Sequence, residues 1–171
     1  LPFLRLAKKN DPGARYAAGN ALQLPFADGQ FQATVCHFFL LWIHQPAAAL
    51  NEMLRVTRPC GAVIAFAEPD YGGRIDHPLA LVELGQRQAE SLRRQGVEPN
   101  MGRQLAGIFA RAGLRAVETG VLGGMWTDSP LPAERKMEWE VLKADLMAKI
   151  PASDLQKMEK LDELAWRERS R

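Results

Sequence analysis

The sequence is poor in cysteine, with two in 171 residues, Cys36 and Cys60. Two thiols are too few for a disulfide scaffold and lack the paired spacing of a zinc finger, so a reducing cytoplasm is the expected compartment. No run of about 18 apolar residues occurs, so no membrane-spanning helix is expected; the mean hydropathy is −0.21. A charge bias is also missing. Lys and Arg total 22, Asp and Glu total 20, and the formal net charge is +2, which argues against nucleic acid or a membrane surface as partner. No signal peptide is expected, and no internal repeat or low-complexity tract is visible. No G-x-G-x-x-G follows a strand-like stretch, which weighs against a nicotinamide-binding domain. Histidines are few: His37, His44 and His77. Hydrophobic residues make up 47% and charged residues 25%, the values of a folded globular chain.

The pattern alternates helix and strand. Leu1–Lys9 places Phe3, Leu4, Leu6 and Ala7 on one helical face, and Asn10-Asp11-Pro12-Gly13 stops it. Arg15–Ala18 is a short candidate strand. Leu24-Pro25-Phe26 and Asp28-Gly29 mark a loop and a turn. Phe31–Leu41 is the most apolar stretch, and its first half reads as a strand buried on both faces. Pro46–Arg55 is a helix with Leu50, Met53 and Leu54 on its apolar side. Pro59 and Gly61 close that connection, and Ala62–Ala67 is a second buried strand. Leu79–Gln95 is a helix that buries Leu81, Leu84, Ala89 and Leu92. Met101–Ala112 is another, ended by Gly113. Arg115–Leu122 reads as a strand. Two charged amphipathic helices follow, Glu134–Lys149 and Asp154–Arg167, with Ser153 and Gln156 as a possible capping box. The sum is an α/β fold with a mainly parallel sheet. Residues 1–125 are expected to form it, with 126–171 as a helical C-terminal segment.

Residues 20–71 resemble a known family. Asn20-Ala21, Leu24-Pro25-Phe26, Asp28 and Phe31 are similar to a D-A-x-x-L-P-F-x-D-x-x-F-D stretch. Ala49-Leu50, Glu52-Met53, Arg55-Val56 and Arg58-Pro59-x-Gly61 are similar to an A-L-x-E-M-x-R-V-x-R-P-G-G stretch. Both stretches, in this order, are those of the class I S-adenosylmethionine-dependent methyltransferases, in their small-molecule branch. The resemblance implies a Rossmann-like methyltransferase fold. The family's glycine-rich loop and the acidic residue that grips the ribose do not occur, so the sheet is expected to be incomplete at the N-terminus by its first two strands. It is also expected to lack the C-terminal edge strand. Gln32 and Cys60 depart from the family's Asp and Gly.

The resemblance implies S-adenosylmethionine as cofactor and a small molecule as methyl acceptor. Asn20 would accept from the adenine amino group, with Ala21 and Leu22 beside it, and Cys36, His37 and Phe38 would face the methionine end. Ligands in open α/β sheets bind beyond the carboxyl ends of the strands. That places His44, Glu68, Asp70 and Tyr71 on the acceptor side. The competing reading of Asn20 is a turn residue, and Cys36 is expected to be a small apolar filler near the cofactor rather than a nucleophile. Methyl transfer from a sulfonium needs alignment more than a strong catalytic group, so no catalytic residue is singled out. No further ligand joins Glu68 and Asp70 at metal-binding spacing, and no metal is expected. Trp42, Trp126, Trp139 and Trp166 either cap an apolar substrate or anchor the core. The Glu134–Lys149 helix is expected to cover the acceptor side through Met137, Val141 and Leu142, or else to form a dimer face. The competing reading is an inactive methyltransferase-like binding module.

Overall fold

The computed structural model describes residues 2–121, 132–146 and 150–168. Among them are six α-helices and a two-stranded parallel sheet. Helix α1 (Pro2–Asn10) stops where Asp11 takes the N–H groups of Gly13 and Ala14 on its side chain. Its apolar face stays in solvent, with Phe3 83% exposed.

Strand β1 (Phe31–His37) leads through a single 3₁₀ turn (Leu40–Trp42) into α2 (Pro46–Val56), and α2 leads into β2 (Thr57–Phe66). This is a βαβ unit. Proline in the first turn of α2 loses no hydrogen bond there. Ala49, Leu50, Met53 and Val56, spaced one, four and seven apart, form the buried stripe of α2. The Thr57 hydroxyl donates to the Met53 carbonyl at 2.7 Å and accepts from the Thr34 hydroxyl at 2.8 Å, which pins the two strands to the helix.

β2 begins five residues earlier than the sequence suggested. It runs through Pro59 and Gly61 rather than starting after them. Phe31 pairs with Thr57 and Ala33 with Ala62, so residues 58–61 bulge out of the ladder. Cys60 sits on this bulge at φ +64°, a left-handed conformation that costs an L-residue about 1–2 kcal/mol. Cys60→Gly should therefore raise stability by about 0.5–1 kcal/mol, read as a higher urea midpoint. An unchanged or lower midpoint would mean that the bulge relaxes around the thiol.

The strands are not buried on both faces, as the sequence suggested. Cys36, Val63 and Ala65 pack into a core with Leu41, Leu50, Leu92, Met101 and Ile108. On the other face Val35 is 57% and Phe66 43% exposed. Among the described residues, one layer of helices lies on the sheet, and it supplies burial on one side.

Two expected strands are absent. Residues 15–19 and 115–121 carry no ladder hydrogen bonds. A strand exists through its neighbour's N–H and C=O groups, and among the described residues neither segment has one. Leu122 lies outside those residues.

Helix α3 (Val82–Arg94) buries Leu84, Ala89 and Leu92 as its periodicity required, with Leu81 buried just before it. Helix α4 (Met101–Arg111) is closed by Gly113 at φ +81°. α5 (Pro132–Leu146) and α6 (Ala152–Arg167) enclose a second core of Trp139, Leu146, Ile150 and Leu155 against Leu81 and Leu84. The buried Trp139 Nε1 donates to Asp162 Oδ2 at 2.9 Å. The capping box did not form. Pro151 is the N-cap residue of α6, so Ser153 falls inside the helix.

Candidate functional site

The segment between α1 and β1 is extended and then doubles back, and its shape is set by side chains of α2. Glu52 accepts the Leu24 N–H at 2.7 Å. Arg55 clasps Glu52 with two hydrogen bonds, of 2.8 and 2.9 Å. The same guanidinium donates to the carbonyls of Leu24 (3.0 Å) and Phe26 (2.9 Å) and to Asp28 Oδ1 (2.6 Å). Hydrogen bonds from Arg55 and Leu24 hold the Glu52 carboxyl down at about 2, and those to Glu52 and Asp28 push Arg55 further up. The two stretches that carry the family resemblance therefore hold each other.

This clasp leaves a cleft of about 540 Å³ between the extended segment and β1, within the usual range of small-molecule sites, roughly 300–1,000 Å³. Ala17, Gly19 and Ala21 form one wall; Thr34, Cys36 and His37 of β1 form another; Met53 and Val56 of α2 lie at its base. The lining is mostly apolar. Burial, reinforced by the Glu68 charge, pushes the Cys36 thiol up to about 11, so it stays protonated and is a filler rather than a nucleophile.

Of the residues singled out in the sequence, Ala21, Cys36 and His37 meet in this cleft. Asn20 stands beside Ala21 and its Oδ1 accepts the Leu22 N–H at 2.9 Å, an Asx turn. The amide oxygen keeps a second lone pair. Leu22 is exposed. Phe38 points out at the end of β1, 39% exposed.

The other group lies elsewhere. Glu68 follows β2 and turns its carboxylate to the backbone. Oε1 accepts the N–H groups of Phe39 and Leu40, both at 2.8 Å, and Oε2 that of Leu41 at 3.1 Å. Asp70 is held by Arg103 of α4 through bonds of 2.7 and 2.8 Å, which lower its carboxyl from the ordinary range. The Tyr71 N–H donates to the Pro99 carbonyl at 2.9 Å; burial and then the Asp145 charge raise its phenol, with Arg74 opposing. The His44 imidazole lies over Gly96, its Cε1 2.7 Å from where a Cβ would stand. None of these four lines the cleft. The loop after β2 is stitched to α4 rather than left open at the rim.

The C-terminal helices do not form the expected cover. α5 lies on α3, where Gln88 Nε2 donates to Asp145 Oδ2 at 2.9 Å. Leu142 packs in the second core, but Met137 is 63% and Val141 57% exposed. The apolar pull comes from Leu81, just before α3, and Leu84 on it, and that is where the helix went. Residues 147–149 and Trp126 lie outside the described residues. The Glu52–Arg55 clasp is a positioning device that residue spacing does not reveal, although both residues stand in the matched stretch.

Residues 2–65 match the methyltransferase domain family. The matched residues include nearly the whole of β1, α2, β2 and the cleft wall, so this part of the chain is similar to a methyltransferase domain. The chain is 40% identical over 74 residues to the demethylmenaquinone methyltransferase of Renibacterium salmoninarum, covering 42% of this chain and 31% of that protein. With the demethylmenaquinone methyltransferase of Roseiflexus sp. it shares 43% over 81 residues, 46% of this chain and 32% of that one. An uncharacterized methyltransferase of Schizosaccharomyces pombe is 32% identical over 108 residues, 60% of this chain and 37% of that protein. The chain thus spans about a third of the length of these relatives. Among the described residues, no helix is long and apolar enough to cross a membrane.

Proposed function

We propose that the protein carrying this chain transfers a methyl group from S-adenosylmethionine to a small organic acceptor. The observation that carries the reading is the coincidence of the methyltransferase match with the cleft: residues 2–65 contain every residue that lines it. The cleft suits the donor's chemistry. Its apolar walls would take an adenine ring, and the Asn20 side chain retains an acceptor for an amino group. Cys36 and His37 would border the methionine part. S-adenosylmethionine supplies a methyl group already made electrophilic by the sulfonium. The chain's own residues then contribute shape: the Glu52–Arg55 clasp fixes residues 24–28, and Thr34, Thr57 and Met53 fix β1 against α2. A cytoplasmic location and a homodimer fit this reading.

The whole protein should bind S-adenosylmethionine with a Kd of about 1 μM, roughly −8 kcal/mol, measured by calorimetry. Absence of heat at high ligand concentration, from folded protein, would favour the inactive binding module instead. The 171-residue chain alone should bind more weakly, because no glycine-rich loop or ribose-gripping carboxylate stands in its sequence.

A further inference from the structure

The loop after β2 and the helix α5 stand far apart in the chain, yet one buried side chain bonds to both. Gln88 of α3 is 6% exposed. Its Oε1 accepts from Arg74 Nη1 at 3.0 Å, and its Nε2 donates to Asp145 Oδ2 at 2.9 Å. A primary amide has one end that accepts and one that donates. Turned over, this amide would set its amino group against the guanidinium and its oxygen against the carboxylate. The charges on either side therefore fix its orientation, and the link is complete only when both are in place. The Asp145 carbonyl also accepts from the Ser91 hydroxyl, which seats this turn of α5 on α3.

The loop end of the link is closely fitted. Arg74 Nε donates to Asp76 Oδ1 at 2.7 Å, and the Asp76 side chain is 10% exposed. Asp76 reaches that depth because α3 offers a glycine there: a Cβ on Gly85 would collide with Asp76 Oδ2. Tyr71 of the same loop feels both ends, since burial and then the Asp145 charge raise its phenol while Arg74 opposes. Buried polar networks stabilise when complete and lose much when one member goes. The other side of the loop is moored on α4 and the residue before it. Asp70 is held by Arg103, and the Gly72 N–H donates to Asn100 Oδ1 at 2.9 Å. The loop thus has two moorings, and the one through Gln88 depends on α5.

We infer that residues 71–76 and α5 open and close as one unit, joined by Gln88 as a positioning residue. Displacing α5 from α3 takes Asp145 from the amide, the amide then loses its fixed orientation, and Arg74 loses its hold. The loop after β2 is freed as a result. The coupling goes beyond methyl transfer and stands whatever the reaction, because every group in it lies outside the matched residues 2–65.

The test measures hydrogen exchange in the whole protein, on the Gly73 and Arg74 amides, which bond to the Asp70 and Tyr71 carbonyls. Asp145→Ala and Gln88→Met should each quicken that exchange roughly tenfold, although neither residue belongs to the loop. The double variant should match the single ones within about twofold, because the two residues act through one link. Asp145→Asn, whose side-chain oxygen can still accept from Gln88, should stay within about twofold of the parent. Amides of the β1–β2 ladder serve as the reference and should keep their parent rates. Arg74→Met, at a side chain 28% exposed, replaces Gln88→Met if circular dichroism shows that variant unfolded. The coupling is refuted if Asp145→Ala leaves the loop at parent rates, if the effects of the two single variants multiply in the double one, or if Asp145→Asn quickens exchange as much as Asp145→Ala. It is also refuted if the ladder amides quicken equally, since the substitutions then loosen the whole fold rather than the loop.

Discussion

Glu68→Ala is expected to lower stability by about 3 kcal/mol, because three backbone N–H groups lose a charged acceptor together. The groups are those of Phe39, Leu40 and Leu41, and Leu40 and Leu41 are core residues at 0% and 1% exposure. The turn cannot swing out to water without pulling these leucines from the core. Glu68→Gln should fall between parent and alanine. Its amide oxygen can keep the two bonds made by Oε1, but its amino group would face the Leu41 N–H, donor against donor. Chemical denaturation ranks the three proteins. If Glu68→Gln equals the parent, the third bond contributes nothing; if Glu68→Ala does, the carboxylate does not hold the turn.

Arg55→Met should release residues 24–28 while keeping the apolar stem of the side chain. Five hydrogen bonds go at once, two to Glu52, two to carbonyls and one to Asp28. The thermal midpoint should fall by roughly 5 °C or more, and proteolysis should begin between Leu24 and Asp28. The clasp also has a pH signature. The Glu52 carboxyl is held at about 2 against an ordinary 4.5, so its folded pKa is depressed. Its contribution is complete above 4.5 and fades as the pH drops from there toward 2. In the Arg55→Met protein that part of the acid sensitivity should disappear. Parallel acid curves for parent and variant would place the acid sensitivity on other carboxylates.

Much of the fold was legible in the sequence because it depends on local pattern. The stripe of Leu81, Leu84, Ala89 and Leu92 required a buried helix face, and it is one. Pro46 opened α2, and the apolar run from Phe31 became β1. These outcomes follow from side-chain spacing and backbone sterics, which a chain carries with it. The resemblance carried by residues 20–61 was legible for the same reason, as an ordered set of residue types.

Partnership was not legible. Residues 15–18 have strand-like composition and form no strand, because a ladder belongs to two segments and the second was not at hand. Leu142 and Val141 are adjacent apolar residues on α5, yet one packs in a core and the other stays in water. The direction in which the helix settled on α3 decided between them. Glu68 read as an acceptor-side carboxylate, but geometry brought three backbone N–H groups within its reach. Glu52 and Arg55 stood in the matched stretch, and only the fold showed them closing on Leu24, Phe26 and Asp28. The sequence by itself determined which residues are apolar, where helices begin and which stretches resemble a methyltransferase. Tertiary structure alone decided which polar groups meet, because a hydrogen bond depends on distances of a few tenths of an ångström that sequence spacing does not encode.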